Sequence, residues 1–167
     1  AIAKDGSVFF TDPPYGLPQK GNFRELDLHG VYRVDPQGKV TLLVKDLERP
    51  NGVALSPNEK ILYVAQSHQP AAVIMAYPLQ ADGKIGAGKE LFNAKDLKGP
   101  GLPDGIKVHS NGTIFSTGPG GVLILNADGK LLGRILCGRP TANVAFGPNE
   151  KSLYITSQDR ILRVALP

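Results

Sequence analysis

The sequence predicts an all-β fold of the β-propeller class, and three observations carry that prediction. The first is an internal repeat. Gly30-Val31-Tyr32-Arg33-Val34-Asp35-Pro36-Gln37-Gly38-Lys39 returns as Gly121-Val122-Leu123-Ile124-Leu125-Asn126-Ala127-Asp128-Gly129-Lys130, and residues 57–64 return as residues 148–155, offset by 91 positions in both cases (30 to 121, 57 to 148). The second is a more diverged copy between them, with Asp104-Gly105-Ile106 standing where the first copy has Asn51-Gly52-Val53, and Asn111-Gly112-Thr113-Ile114-Phe115 where it has the strand after Lys60. The third is that no segment carries sustained helical periodicity. Repeats of about 40 to 50 residues made of short strands and turns are the signature of a propeller, in which no unit can bury its apolar face alone.

Each element follows from an apolar, β-branched run bounded by Gly, Pro, Asn or Asp. In the first unit, about residues 1–45, strands are expected at about 7–11, 30–35 and 40–45. The second, 52–93, gives strands at about 52–56, 61–66, 72–78 and 89–93, with Val53-Ala54-Leu55 innermost. The third, 105–136, gives about 105–109, 113–117, 121–126 and 131–136. The fourth gives about 143–147, 152–157 and 160–165, and lacks its outermost strand. That makes about four blades, read as one domain over 1–167. An open stack exposes faces that a closed ring hides, so the chain either closes as a four-bladed ring or is the C-terminal portion of a larger one. In the second case apolar side chains such as Phe9, Ile155 and Ile161 should lack packing partners and the chain should self-associate.

Composition fits and excludes. Twenty Gly, 14 Pro, no Trp and 41% hydrophobic residues in 167 suit many short strands between tight turns. The net charge of +4 arises from Lys and Arg spread singly among Asp and Glu, which reads as a solvated surface without a nucleic-acid footprint. Cys137 is alone, so neither an internal disulfide nor a thiolate metal site is available, and its apolar run marks it as a small core residue. No apolar run approaches the roughly 18 residues of a membrane span, and no basic segment followed by an apolar core marks a signal peptide. The chain reads as soluble, its compartment open. It starts at Ala1 inside a strand pattern, with Met75 its only methionine, as a processed or partial chain does.

In a propeller the segments leading into the innermost strands converge at one mouth. Here they read Arg49-Pro50-Asn51-Gly52, Leu102-Pro103-Asp104-Gly105 and Arg139-Pro140-Thr141-Ala142-Asn143. The repeat makes Asn51 and Asp104 equivalent in neighbouring blades, which directs two oxygen donors into one channel. Oxygen donors suit a hard cation such as Ca2+, and zinc less well without a Cys or His cluster. Asn-Gly and Asp-Gly are also ordinary turn dipeptides. The preceding Pro in both copies, and the contrast with Asp5-Gly6 and Asn111-Gly112 in hairpin turns, favour the channel. His29, His68 and His109 match no metal or triad spacing, and neither a Gly-x-Ser-x-Gly elbow nor a His-Glu-x-x-His motif is present. The glycines at 118, 120 and 121 lie between strands, which argues against a phosphate cradle. After Thr11-Asp12-Pro13-Pro14-Tyr15-Gly16, a loop over 16–29 is expected to overhang the mouth.

These segments, with Asp5-Gly6-Ser7-Val8-Phe9-Phe10-Thr11, Asn51-Gly52-Val53-Ala54-Leu55-Ser56-Pro57 and Asn143-Val144-Ala145-Phe146-Gly147, resemble the SMP-30/gluconolactonase/LRE-like, or regucalcin-like, family over essentially the whole chain. The resemblance implies a six-bladed propeller that holds a divalent cation, Ca2+ or Zn2+, and hydrolyses lactones of sugar acids. The family's metal-binding Asn falls on Asn51, and its metal-binding Asp, also the proposed base, on Asp104. Its metal-binding Glu and a substrate-contacting Asn-Asp pair belong to segments upstream of Ala1, so about two of six blades are missing. The implied partner is a small lactone, with no nucleic acid and no membrane. The alternative is a non-catalytic propeller that holds calcium or a small ligand, since fold alone does not fix function.

Overall fold

The structure, a computed structural model, describes residues 1–17 and 25–167. Among these residues, fourteen strands form four antiparallel meanders. Sheet I holds β1 (Val8–Thr11), β2 (Val31–Val34) and β3 (Val40–Val44); sheet II holds β4 (Pro50–Leu55), β5 (Ile61–Gln66), β6 (Val73–Pro78) and β7 (Lys89–Asn93). Sheet III holds β8 (Ile106–Val108), β9 (Ile114–Gly118), β10 (Gly121–Leu125) and β11 (Leu131–Leu136), and sheet IV holds β12 (Asn143–Phe146), β13 (Ser152–Ser157) and β14 (Arg160–Ala165). In sheet I the innermost position is taken by residues 1–3, tied on through an Ile2–Val8 bridge. Single 3-10 turns at Gln69–Ala71 and Pro148–Glu150 are the helical segments among the described residues. No helix among these residues is long and apolar enough to cross a membrane. The expected loop over 16–29 falls partly outside the described residues.

The chain folds as a β-propeller, its sheets packed face to face. Strand alternation explains the cores, because successive side chains point to opposite faces. On β5, Leu62 and Val64 join Phe9, Val31 and Val44 in a core between sheets I and II, while Tyr63 joins Ala54, Ile74, Ile106 and Ile114 between sheets II and III. A third core, with Phe115, Val122, Val144, Leu153 and Ile155, lies between sheets III and IV. Each such side chain contributes about 1.5–3 kcal/mol by leaving water.

The outer sheets bury one face only. Phe9 and Ile155, expected to lack partners, are buried at 2% and 0% exposure, whereas Ile161 is 76% exposed. Phe9 and Ile155 have the strand parity that faces the neighbouring sheet. Val8 and Phe10 on β1, and Tyr154 and Ile161 on sheet IV, face away and stay exposed. Cys137 is half-buried at the edge of the third core.

The inner strands run close together, β4 beside β8 and β8 beside β12. Gly52 lies against the Asp104 carbonyl and Gly105 against Asn143, so a Cβ at either position would collide. Neither glycine has positive φ, unlike Gly6 and Gly112 in the hairpin turns, which have open space around them. The Gly after Asn51 and after Asp104 is therefore required by close approach of strands, and the turn-dipeptide reading does not hold.

Candidate active site

Asn51 and Asp104 line one cleft of about 560 Å3 at the mouth of the inner strands. Their placement is built locally. Pro50 occupies the first position of β4, where a missing N–H is tolerated. The register then steps from Pro50–Gln66 to Val53–Val64, so Asn51 and Gly52 together oppose Ala65. That bulge re-aims the Asn51 side chain. Asp104 sits two residues before β8; its N–H donates to the Thr117 hydroxyl (3.1 Å), and the next N–H, of Gly105, donates to the Ala142 carbonyl (2.9 Å).

Ser67 ties these segments together. Its hydroxyl donates to the Pro103 carbonyl at 2.5 Å, next to Asp104, and accepts from Asn51 Nδ2 at 3.0 Å. A hydroxyl has one proton; once that proton is given to Pro103, only the NH2 end of Asn51 can face Ser67. Asn51 Oδ1 is thereby left without a protein partner among the described residues. Tyr15 closes the group by donating its hydroxyl to the Ser67 carbonyl at 3.1 Å.

Sequence reasoning missed Ser67, although a signal was there. Hydroxyl residues stand at or beside the ends of β1, β5, β9 and β13 as Thr11, Ser67, Thr117 and Ser157, and three of them donate to the next or own inner-strand segment: Thr11 to Asn51 O (2.6 Å), Ser67 to Pro103 O and Ser157 to Pro140 O (3.4 Å).

The Asp104 carboxyl makes no side-chain hydrogen bond among the described residues, and burial pushes its pKa up to about 6 from the ordinary 3.8, because desolvation disfavours the charged form. The third segment contributes Pro140, Thr141 and Ala142 to the cleft. Its Asn143 turns away, with Oδ1 accepting from Lys107 Nζ (3.5 Å) and Val144 N–H (2.9 Å). His109 packs edge-on against Phe146 and faces Glu150 at 3.4 Å, on the hairpin-turn side of the sheets.

The donor set bears on a cation. Among the described residues, no three His, Cys, Asp or Glu side chains come together as a metal cluster, and neither Cys nor His is among the cleft residues. An unpartnered amide oxygen and a partnerless carboxylate in one cleft nevertheless have the chemistry of hard-cation ligands.

Comparison with known proteins gives a consistent answer. The family described as SMP-30/Gluconolactonase/LRE-like region matches residues 1–159. A gluconolactonase of Zymomonas mobilis is 38% identical over 171 residues, which cover 98% of this chain and 48% of the relative. A solved gluconolactonase from Xanthomonas campestris superposes with a TM-score of 0.88 at 34% identity, covering 99% of this chain and 55% of that one. A calcium-binding protein, regucalcin, from Agrobacterium tumefaciens gives 0.66 at 28% identity, covering 77% and 44%. The chain thus spans about half the length of these proteins.

Proposed function

Because this chain belongs to the SMP-30/gluconolactonase/LRE-like family, we propose that the cleft is part of the active site of a lactonase that hydrolyses lactones of sugar acids. Its resident cofactor in this reading is a divalent cation, Ca2+ in the first place and Zn2+ in the second, and its ligand is a small lactone rather than a nucleic acid or a membrane. The observation that carries the reading is the meeting of Asn51 and Asp104 in one cleft, with Asn51 Oδ1 and the Asp104 carboxyl both without a side-chain hydrogen bond among the described residues.

Asn51 Oδ1 and the Asp104 carboxylate would hold the cation, which when bound supplies Lewis-acid polarisation of an ester carbonyl. The chain's own groups do the rest. Asp104 is a carboxylate of the cleft with no side-chain hydrogen bond among the described residues, and it would be the group placed to act as general base. It accepts a proton from water as the water oxygen bonds to the lactone carbonyl carbon. The ring C–O bond then breaks, the proton passes to the departing ring oxygen, and the product is the open hydroxy acid. Ser67 fixes the geometry by pinning Asn51 and the peptide preceding Asp104 to one hydroxyl.

The test is Asp104→Asn in the full-length protein, assayed with glucono-δ-lactone and titrated with Ca2+. Turnover should fall by about 10²–10⁴-fold, while Ca2+ affinity falls less, since water can replace one of several oxygen ligands. Unchanged turnover at saturating Ca2+ would make Asp104 a structural residue.

A further inference from the structure

Among the described residues, four other than glycine have positive φ: Glu59, Asn149, Glu150 and Gln158. Three belong to hairpin turns away from the cleft, and the two glutamates there use their carboxylates to accept hydrogen bonds from the neighbouring sheet. Gln158 is different. It opens the two-residue turn between β13 and β14, closed by the Ser157–Arg160 pair, with φ 53°. Such turns take Gly, Asn or Asp, whose side chains tolerate that conformation. A long glutamine is not what the turn asks for. Its side chain makes no hydrogen bond to protein among the described residues, and it lines the same cleft as Asn51 and Asp104.

Gln69 repeats the arrangement. It lies in the corresponding connection of sheet II, between β5 and β6, is exposed, makes no side-chain hydrogen bond among the described residues, and lines the cleft. Two glutamines therefore line the cleft from equivalent connections of two sheets. An amide offers both donors and an acceptor, which matches a hydroxyl, itself donor and acceptor. An outlying backbone conformation kept beside a cleft points to function rather than to the fold.

We propose that Gln158, together with Gln69, is a specificity determinant that reads ring hydroxyls, so that the cleft selects polyhydroxylated lactones over unsubstituted ones. This rests on the reading of the cleft as a lactonase site.

The experiment uses the full-length protein and its Gln158→Gly, Gln158→Leu and Gln69→Leu variants with saturating Ca2+. Three quantities are measured: the ratio of kcat/KM for glucono-δ-lactone to that for δ-valerolactone, the affinity for D-gluconate by calorimetry, and the melting midpoint. Loss of one amide should lower the ratio and the gluconate affinity by about five- to tenfold, the size of one or two net hydrogen bonds. Gln158→Gly should show this with an unchanged or raised midpoint, because glycine adopts positive φ freely. Folded variants with the wild-type ratio and wild-type gluconate affinity would overturn the inference and leave the lactonase reading standing. A wild-type protein that hydrolyses neither lactone would overturn both.

Discussion

Asp104 shows how far a single residue can be read. Its equivalence with Asn51 was legible in the repeat, since Pro-Asn-Gly and Pro-Asp-Gly stand at matching positions. What the glycines were for was not, because a turn and a close approach of strands select the same residue for different physical reasons. Ser67 escaped for a related cause: a serine at a strand end is common, and only the fold brings its hydroxyl between Asn51 and Pro103. The carboxyl leads to a prediction about pH. Folding raises its pKa to about 6 from 3.8, so the fold favours the protonated form. Stability from this group is fully present below about pH 3.8 and is lost as pH rises through about 6. In a chelator, the melting midpoint should therefore fall between about pH 4 and pH 7. Asp104→Asn should flatten that part of the profile. Ca2+ added at pH 7 should restore the midpoint of the wild type by mass action and that of the variant much less. A metal-free profile that is the same with Asp or Asn at 104 would contradict this account of the carboxyl.

At the scale of elements, all fourteen strands were legible to within one or two residues, because each is a short apolar run between breakers. The two 3-10 turns were not, since three residues carry no periodicity. Which way each strand faces was also misjudged for Phe9 and Ile155: a fully apolar run such as Val8-Phe9-Phe10 gives no alternation to fix parity. The 91-residue repeat has a structural meaning at this level. Glu59 Oε1 accepts the Lys4 N–H at 2.9 Å, joining the hairpin of sheet II to that of sheet I. Its counterpart Glu150 accepts the Ser110 N–H at 3.2 Å and the Ser110 hydroxyl at 2.5 Å, joining sheet IV to sheet III. Both glutamates hold positive φ, 56° and 53°, so each clasp is kept against a backbone cost. Hydrogen bonds from Ser110 lower the Glu150 pKa below its ordinary 4.5, so the clasp contributes above about pH 4.5 and is lost as pH falls below it. Glu150→Ala keeps the strain and removes the clasp, and should cost about 1 kcal/mol or less at this exposed site. Glu150→Gly removes both and should cost less than Ala, the reverse of the usual order, as read by denaturant unfolding. If Gly proves the worse substitution, the clasp does not offset the strain in the way argued.

For the whole molecule, sheets II and III show what a flanked blade looks like and sheet I shows the contrast. The register aligns Val8 with Val34, Phe10 with Tyr32, Tyr32 with Leu42 and Val34 with Val40, so one face of sheet I is apolar from β1 to β3. Phe10 and Tyr32 stack there at 5.1 Å, and Val8, Phe10, Val40 and Leu42 are 38%, 38%, 57% and 41% exposed. Sheet II packs a core on each face, whereas among the described residues sheet I packs on one face, through Phe9, Val31 and Val44 with Ala3 and Leu43 beside them. Full burial of such side chains is worth up to about 1.5–3 kcal/mol each, in sum comparable with a domain's net stability of about 5–15 kcal/mol. Contiguous exposed apolar surface of this kind marks a contact face. Residues 1–167 produced alone should therefore self-associate through sheet I and show little lactonase activity even with excess Ca2+. Phe10→Lys combined with Leu42→Lys, placing two charges on that face, should shift sedimentation toward monomer without unfolding the other sheets. If 1–167 sediments as a monodisperse monomer and hydrolyses lactones, the apolar face of sheet I is not a contact face, and four blades suffice for the chemistry.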